Sequence, residues 1–576
     1  MKLKDQVNFY LQKIIENIIG EKAEIEIQPV QESIHGDYST NIALVVYPKL
    51  KNKFESPMEL ASYLCEKLGK SLQKEKIEKI EVSAPGFINF WLKDTALLKN
   101  LGEVIDYKDN YGKGESLKNK KIMLEFADPN PFKEFHIGHL RNITLGESYA
   151  RLLEFQVANV WRVNYQGDVG MHVAKALYGV LSSEFGVRSL EKKSAGERAK
   201  FLGEAYADGA KAYEESEKAK KEIQEINKKL YKKDSVILAI WEKGRQWSLD
   251  HFEEMYGRLG TKYKRYYFES EVAEKGREIV LSHIKDGIFE RHAGAVVFRG
   301  AHTRVFVTSE NYATYEAKDL ALAKIKSQDF QYDQSIIITA NEQNSYFKVV
   351  LAALGKVFPD LALKTVHESF GFVNLKDGKM SSRSGSVVTG EWLLDEAKRK
   401  IKENFSAKGG PASGRKDMDV KTLEKVAVGA VKYSMLKFSR KSDITFSFEE
   451  SISLEGNSGP YIQYSFARTQ SVLARIQNSE FRIQNSESVK LEKEELLILR
   501  LLVHFPEIVE EAGGNFAPNL LCNYLFELSQ AFNNFYQKHK IIGSENEDFR
   551  LSLTSAVGQI LKTGLFLLGI EAPSKM

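Results

Sequence analysis

The stretch that most constrains this chain runs from Lys121 to Asn142, KIMLEFADPNPFKEFHIGHLRN. Lys121 to Ala127 reads as a buried strand, a short apolar run bounded by turn signals. Two Asx-Pro dipeptides, Asp128-Pro129 and Asn130-Pro131, make a rigid turn out of it. A helical pattern from about Gly138 to Phe155 follows. VANVWRVNYQGDVG then supplies a second strand and a glycine loop. Strand, loop, helix, strand is the opening of a nucleotide-binding α/β domain.

Two chemistries suit His136 and His139 in that turn. Their i, i+3 spacing allows a shared metal ion, but zinc needs a third protein ligand. No Cys or His cluster supplies one nearby, and Gly138 weakens the helix at that point. Cys65 and Cys522 are too far apart in sequence for a CxxC motif and fit a reducing cytoplasm. The phosphate reading fits better: where a strand ends and a helix begins, backbone N–H groups and the helix dipole favour an anion. Gly138 would let a phosphate or a flat ring approach the backbone. A second segment, KDGKMSSRSG from Lys376 to Gly385, sets Lys379, Ser381, Ser382 and Arg383 on a glycine-flanked loop. Such a loop can close on a triphosphate and meet the charge of a transition state.

At 576 residues the chain exceeds one core, and 43% hydrophobic with 28% charged residues is an ordinary globular balance. No apolar run approaches the roughly 18 residues of a membrane span, and the N-terminus lacks a signal peptide's apolar region. The expectation is a cytoplasmic protein with no membrane partner. Residues 1–108 read as an α+β domain, with a Pro85-Gly86 turn between two strands, and 109–390 as the α/β domain. A polar helical insertion is expected near 184–299, a connecting helical region over 391–442 and an all-α bundle over 443–576. Net charge is only +4, yet Lys398 to Asp443 holds 13 Lys/Arg against 5 Asp/Glu, a candidate polyanion-facing surface or a solvated helix face. The direct repeat RIQNSEFRIQNSES, Arg475 to Ser488, is too short for a solenoid and receives no function.

HIGH at His136–His139 and KMSSR at Lys379–Arg383, in that order and roughly 240 residues apart, resemble the two ATP motifs of class I aminoacyl-tRNA synthetases. HGDYSTNIAL, APGFINF, PNPFKEFHIGHLRN, YEAKDLALAK, GNSGPYIQYSFAR and the terminal LGIEAPSKM narrow the resemblance to the arginyl-tRNA synthetase family, over essentially the whole chain. The resemblance implies a Rossmann-type catalytic domain between the N-terminal α+β module and a C-terminal anticodon-binding bundle. It implies ATP-dependent activation of L-arginine to arginyl-adenylate, with tRNA bound first, and transfer to the 2′-hydroxyl of the terminal adenosine of tRNA(Arg). His136, His139, Lys379 and Lys133 would carry the phosphate chemistry. Ile137, Gly138, Met380, Ser381, Ser382 and Arg383 would bind ATP, whose Mg²⁺ arrives with it rather than in a protein cage. A monomer is the family expectation.

A guanidinium needs planar acceptors in a partly desolvated pocket. Glu125 at the end of the first strand, Asn130 in the turn, Tyr315 and Asp319 one helical turn apart, and Gln343 after the strand SIIIT are so placed. By resemblance these five match the family's arginine pocket. Tyr461, Tyr464 and Arg468, at i, i+3 and i+7, would offer two rings and a cation to anticodon bases, or would be bundle residues. By resemblance Phe535 and Tyr536 complete that surface, and HGDYSTN contacts the outer corner of the tRNA. Two departures stand out: Val169 where many relatives carry an aromatic residue, beside Asp168, and Tyr346 where many carry histidine. A different class I synthetase and a catalytically dead tRNA-binding paralogue are the alternatives. The distant cysteines oppose a cysteinyl enzyme, and the intact HIGH and KMSSR motifs oppose a dead one.

Overall fold

The computed structural model describes residues 3–30, 36–71, 76–183, 190–376, 388–407, 418–476 and 490–576. Its centre is a five-stranded parallel sheet: β1 (Lys121–Glu125), β2 (Asn159–Gln166), β3 (Arg265–Phe268), β4 (Gln334–Ala340) and β5 (Thr365–Phe370), in the order β5-β4-β1-β2-β3. β1 is buried from Ile122 to Glu125, as expected of a central parallel strand covered on both faces. The order reverses between β1 and β4, where Glu125 pairs in register with Ile337 on one side and Val163 on the other. That switch point opens a crevice at the carboxyl ends of the strands.

Helix α1 (Ile137–Phe155) crosses from β1 to β2 and is buried along nearly its whole length. Its Arg141, fully buried, donates to the carbonyls of Gly371 and Phe372 just past β5 and to those of Arg440 and Ser442. One side chain of the HIGHLRN segment thus ties the sheet to the chain leading into the bundle. Among the described residues between β2 and β3 lie four helices, Met171–Ser182, Ala195–Glu215, Glu217–Tyr231 and Ser235–Arg258, around their own core of Val173, Leu177, Leu202, Ile223 and Trp241. The charged stretch from Glu217 is therefore not simply solvated: Ala219, Ile223, Ile226 and Leu230 form a buried stripe at helical spacing. β3 falls inside the stretch read as polar and helical. So do two antiparallel strands, Glu290–His292 and Ala295–Arg299, which pair with a third, Thr303–Val307, just beyond it. Helix α2 (Tyr315–Asp329) then leads into β4.

The N-terminal module is a four-stranded antiparallel sheet with helices Leu3–Ile19 and Pro57–Ser71 packed on it. Asp37 of HGDYSTN is buried, accepts the Leu92 N–H and pairs with Arg500, so it holds the module to the bundle. The C-terminal part comprises α3 (Val420–Leu436), α4 (Gly459–Leu473), α5 (Lys493–Gly514), α6 (Pro518–Lys538) and α7 (Glu547–Leu567). The last turn of α7 and the residues just after it fold back on the catalytic domain. The Leu567 and Phe566 carbonyls accept from Ser148 Oγ at 3.1 Å and Arg151 at 2.9 Å, both on α1. Gly569 accepts from the buried Lys432 of α3, which also donates to the Leu259 carbonyl. Among the described residues no helix is long and apolar enough to cross a membrane.

The basic stretch from Lys398 is largely consumed internally. Lys398 pairs with Glu424, Arg399 with Glu396 and Glu403, Lys425 with Glu571 and Arg440 with Glu368. Its 408–417 part lies outside the described residues, as do 477–489 of the RIQNSE repeat.

Candidate active site

A cavity of about 660 Å³ fills the crevice at the switch point. Glu125, Asn130, His136, Gly138, His139, Tyr315, Asp319 and Gln343, widely separated in sequence, line it together. Ala127, Asp128 and Phe132 in the turn after β1 have positive φ (79°, 50° and 68°), a conformation side chains adopt at a cost. Packing holds the turn there: Ser248 Oγ accepts the Phe132 N–H at 2.9 Å, and Asn130 Oδ1 accepts the Gly167 N–H at 2.9 Å.

His136 is the N-cap of α1. Its Nδ1 accepts the Gly138 and His139 N–H groups at 3.1 and 3.4 Å, while His139 Nδ1 accepts the His136 N–H at 3.1 Å. The rings stack with centroids 3.6 Å apart. Burial, then the Lys133 charge, pushes His136 down to about 4. Burial, with His136 and Lys133 beside it, pushes His139 well below the ordinary imidazole value. Both rings are therefore neutral at pH 7. With each Nδ1 accepting a backbone N–H, each ring carries its proton on Nε2. The pair is a set of two uncharged donors.

This changes one expectation. The first-turn N–H groups of α1 were to cradle an anion, but they are taken: Ile137 donates to the Val388 carbonyl at 3.0 Å, and Gly138 and His139 to His136. The imidazole Nε2–H groups are the donors that remain. Gly138 likewise serves first to admit His136. A Cβ there would lie 3.0 Å from His136 Cε1 and Nδ1, so a side chain would press on the capping ring.

The opposite end of the cavity is acidic. Asp319 Oδ2 accepts the Tyr346 hydroxyl at 2.7 Å, so tyrosine fills the position where histidine is common by bonding the pocket's own carboxyl. Burial, with Glu125, Glu269 and Glu316 nearby, raises Asp319 to about 8 despite that bond. Glu125 Oε2 accepts from Lys326 Nζ at 2.8 Å, an ion pair with both side chains at 5% exposure or less. Glu269 pairs with Lys318, and Glu316 with Arg304 at 3.1 Å. Sequence reading missed Glu269, Tyr165, Lys318 and Lys326. The signal was the place of Glu269 just after β3 and of Tyr165 next to last in β2, the same edge of the sheet that carries Glu125.

The remaining candidates separate. Lys133 lies beside the histidines, its Nζ 5.0 Å from the Tyr206 ring centroid on the insertion helix Ala195–Glu215. Lys379, Met380, Ser381, Ser382 and Arg383 lie outside the described residues. Asp168 is structural: it accepts from the Ser270 N–H and hydroxyl and faces Arg245 at 3.1 Å. On the bundle, the Arg468 guanidinium sits 4.9 Å from the ring centroids of both Tyr464 and Tyr536 and donates to Asn533. Tyr461 is partly buried against the core, its ring 5.6 Å from Phe526. Phe535 does not belong to that face: it is fully buried, packed on Phe532 and His539.

Three family models match the chain: tRNA synthetases class I (R), catalytic domain, over residues 101–448; DALR anticodon binding domain over 462–576; and Arginyl tRNA synthetase N terminal domain over 1–92. An arginine–tRNA ligase of Treponema denticola is 32% identical, the match covering 98% of this chain and 97% of the relative. One of Phocaeicola vulgatus is 29% identical over the full length of both. Among solved structures, the arginyl-tRNA synthetase of Thermus thermophilus shares the fold with a TM-score of 0.81 at 24% identity, covering 100% of each chain. That of Plasmodium falciparum does so with a TM-score of 0.81 at 23% identity, covering 99% of each.

Proposed function

Since the chain belongs to the arginyl-tRNA synthetases of class I, we propose that the switch-point cavity holds arginine at the acidic end and ATP at the histidine end. The arginine carboxylate attacks the α-phosphate of ATP, giving arginyl-adenylate and pyrophosphate. The 2′-hydroxyl of the terminal adenosine of tRNA(Arg) then takes the arginyl group. Glu125 and Asp319, with Asn130, Tyr315 and Gln343, orient the guanidinium. His136 and His139 donate from Nε2 to the phosphate oxygens as charge builds there. Lys133, with Lys379 of the KMSSR segment, neutralises the pentavalent phosphate. Mg²⁺ enters with ATP as part of the substrate.

The carrying observation is that two neutral donors and a set of carboxylates, brought from widely separated segments of the chain, meet in one crevice at the switch point. The bundle binds the anticodon limb through Tyr464, Arg468 and Tyr536, where a cation lies between two rings that bases can stack on. The N-terminal module contacts the outer corner of the tRNA, and the protein acts as a cytoplasmic monomer. ATP–pyrophosphate exchange with each amino acid, with and without tRNA(Arg), tests the reading. Arginine with tRNA is expected to support exchange, and exchange driven by any other amino acid would overturn it.

A further inference from the structure

Helix α2 carries Tyr315, Asp319 and Lys326 at offsets of four and seven, one stripe facing the sheet. Asp319 lines the open cavity. Lys326 does not; it lines a small inner cavity of about 20 Å³ that it shares with Glu125 and Asp319. Its ammonium therefore stands behind Glu125, out of a substrate's reach. Three acids near Asp319 have a cation of their own: Glu125 has Lys326, Glu269 has Lys318 and Glu316 has Arg304. Wherever the proton of each pair sits, the pair carries no net charge. Among the described residues, Asp319 bonds instead to the neutral Tyr346 hydroxyl.

We propose that Lys326 is a positioning residue for arginine that acts through Glu125: by cancelling that carboxylate it leaves Asp319 as the acid that discharges a proton to receive the guanidinium. The proposal rests on the arginine-pocket reading above. Without the ammonium, Glu125 and Asp319 would face each other as two like acids in a dry cavity, and the empty pocket would take up an additional proton. Arginine would then have to expel two. With Lys326 present one suffices, because Asp319, raised to about 8 by burial, is mostly protonated in the empty pocket at pH 7. Asp128 also lines the cavity; burial and Glu125 raise it, and its Oδ1 accepts the Tyr165 N–H at 2.8 Å. Lys326 lowers Asp128 and Asp319 raises it, so the same titrations are repeated in an Asp128→Asn background, where the differences between variants must persist for the proposal to stand.

Arginine is titrated into the full chain with tRNA(Arg) by calorimetry, in buffers of different ionisation heat, from pH 6 to 9. Asp319→Asn is expected to release one proton fewer than the parent, and Lys326→Met one more. Arginine Kd for Lys326→Met should rise about tenfold at pH 7, the size of one unit of displaced pKa, with the gap closing by pH 9. Lys326→Arg should restore the parent's proton count. A folded Lys326→Met with the parent's count, or one weakened equally at every pH, would overturn the proposal, because a purely structural lysine behaves that way. If Lys326→Met does not fold, the parent and Asp319→Asn decide, and equal proton release by the two overturns it. If neither Glu125→Gln nor Asp319→Asn changes arginine Kd, the pocket reading itself has failed.

Discussion

At one end of the active-site cavity burial acts on bases, and at the other on acids. His136 and His139 have no counter-charge, and Lys133 stands near them, so burial strips their protons. Nothing more is needed, because a neutral imidazole whose Nδ1 is occupied is already a good donor. The acids are the reverse case. The same dry surroundings drive Asp319 up to about 8, toward a neutral form that cannot bind a cation well, and three buried or half-buried cations are spent on its neighbours. A buried base becomes a useful donor by desolvation alone, whereas a buried acid stays a useful acceptor only with a partner.

The sharpest way to break this contrast is Glu125→Gln. It removes one partner of a fully buried pair and strands the Lys326 ammonium, a change that costs about 3–5 kcal/mol. Denaturant unfolding should show that loss, and arginine KM should rise with it. An unchanged protein would mean that the acidic end needs no compensation. His139→Ala comes next. Losing one preorganised donor to the transition state should lower kcat by about 10²–10³-fold, on the order of 3–4 kcal/mol. Arginine KM should stay nearly constant; a large KM effect would place the ring at the wrong end of the cavity.

Arg468→Ala probes a cation that burial does not govern. It should raise the KM for tRNA(Arg) by about 0.5–2 kcal/mol, the range for a cation over aromatic faces, and shrink the preference over an anticodon-mutated tRNA. Wild-type discrimination in a folded variant would remove this face from anticodon reading. The smallest effect is one of shape. At saturating arginine, kcat should show no inflection at the ordinary histidine value of about 6.5. Because the folded His136 sits near 4, the neutral ring's stabilisation is complete above the unfolded value of 6.5 and is lost as pH falls from 6.5 toward 4. Thermal melts should therefore decline across that window, and an inflection of kcat at 6.5 would mean that the rings titrate in place.

What could be read from the chain follows from how local each feature is. The turn from Glu125 to His139 is legible because strand, prolines, glycine and helix start are contiguous. The compensating lysines are not. Lys326 and Lys318 read as ordinary helix lysines, and their carboxylates arrive from 201 and 49 positions away. The occupied N–H groups of α1 were hidden for a similar reason, since the Val388 carbonyl closes the turn from across the domain. Phe535 was legible and misread. Leu528, Ala531, Phe532 and Phe535 form one buried i, i+3, i+4, i+7 stripe, and Tyr536, about 100° further round the helix, points away from it. The family resemblance marked both neighbours as surface, and helix periodicity separates them.

The contacts between α1 and the last turn of α7 also bear on how the chain is made. Ser148 and Leu567 are 419 positions apart, and Arg151 and Phe566 are 415 apart. On a ribosome adding about 5–20 residues per second, the helix that begins at His136 is synthesised well before its last hydrogen-bond acceptors exist. The histidine turn thus belongs to an early part of the chain, while the far half of the same helix is completed by acceptors made late. Chains stalled before Phe566 should stay protease-sensitive around α1, and completed chains released from the ribosome should become resistant. Early resistance in the stalled chains would show that α1 closes without them.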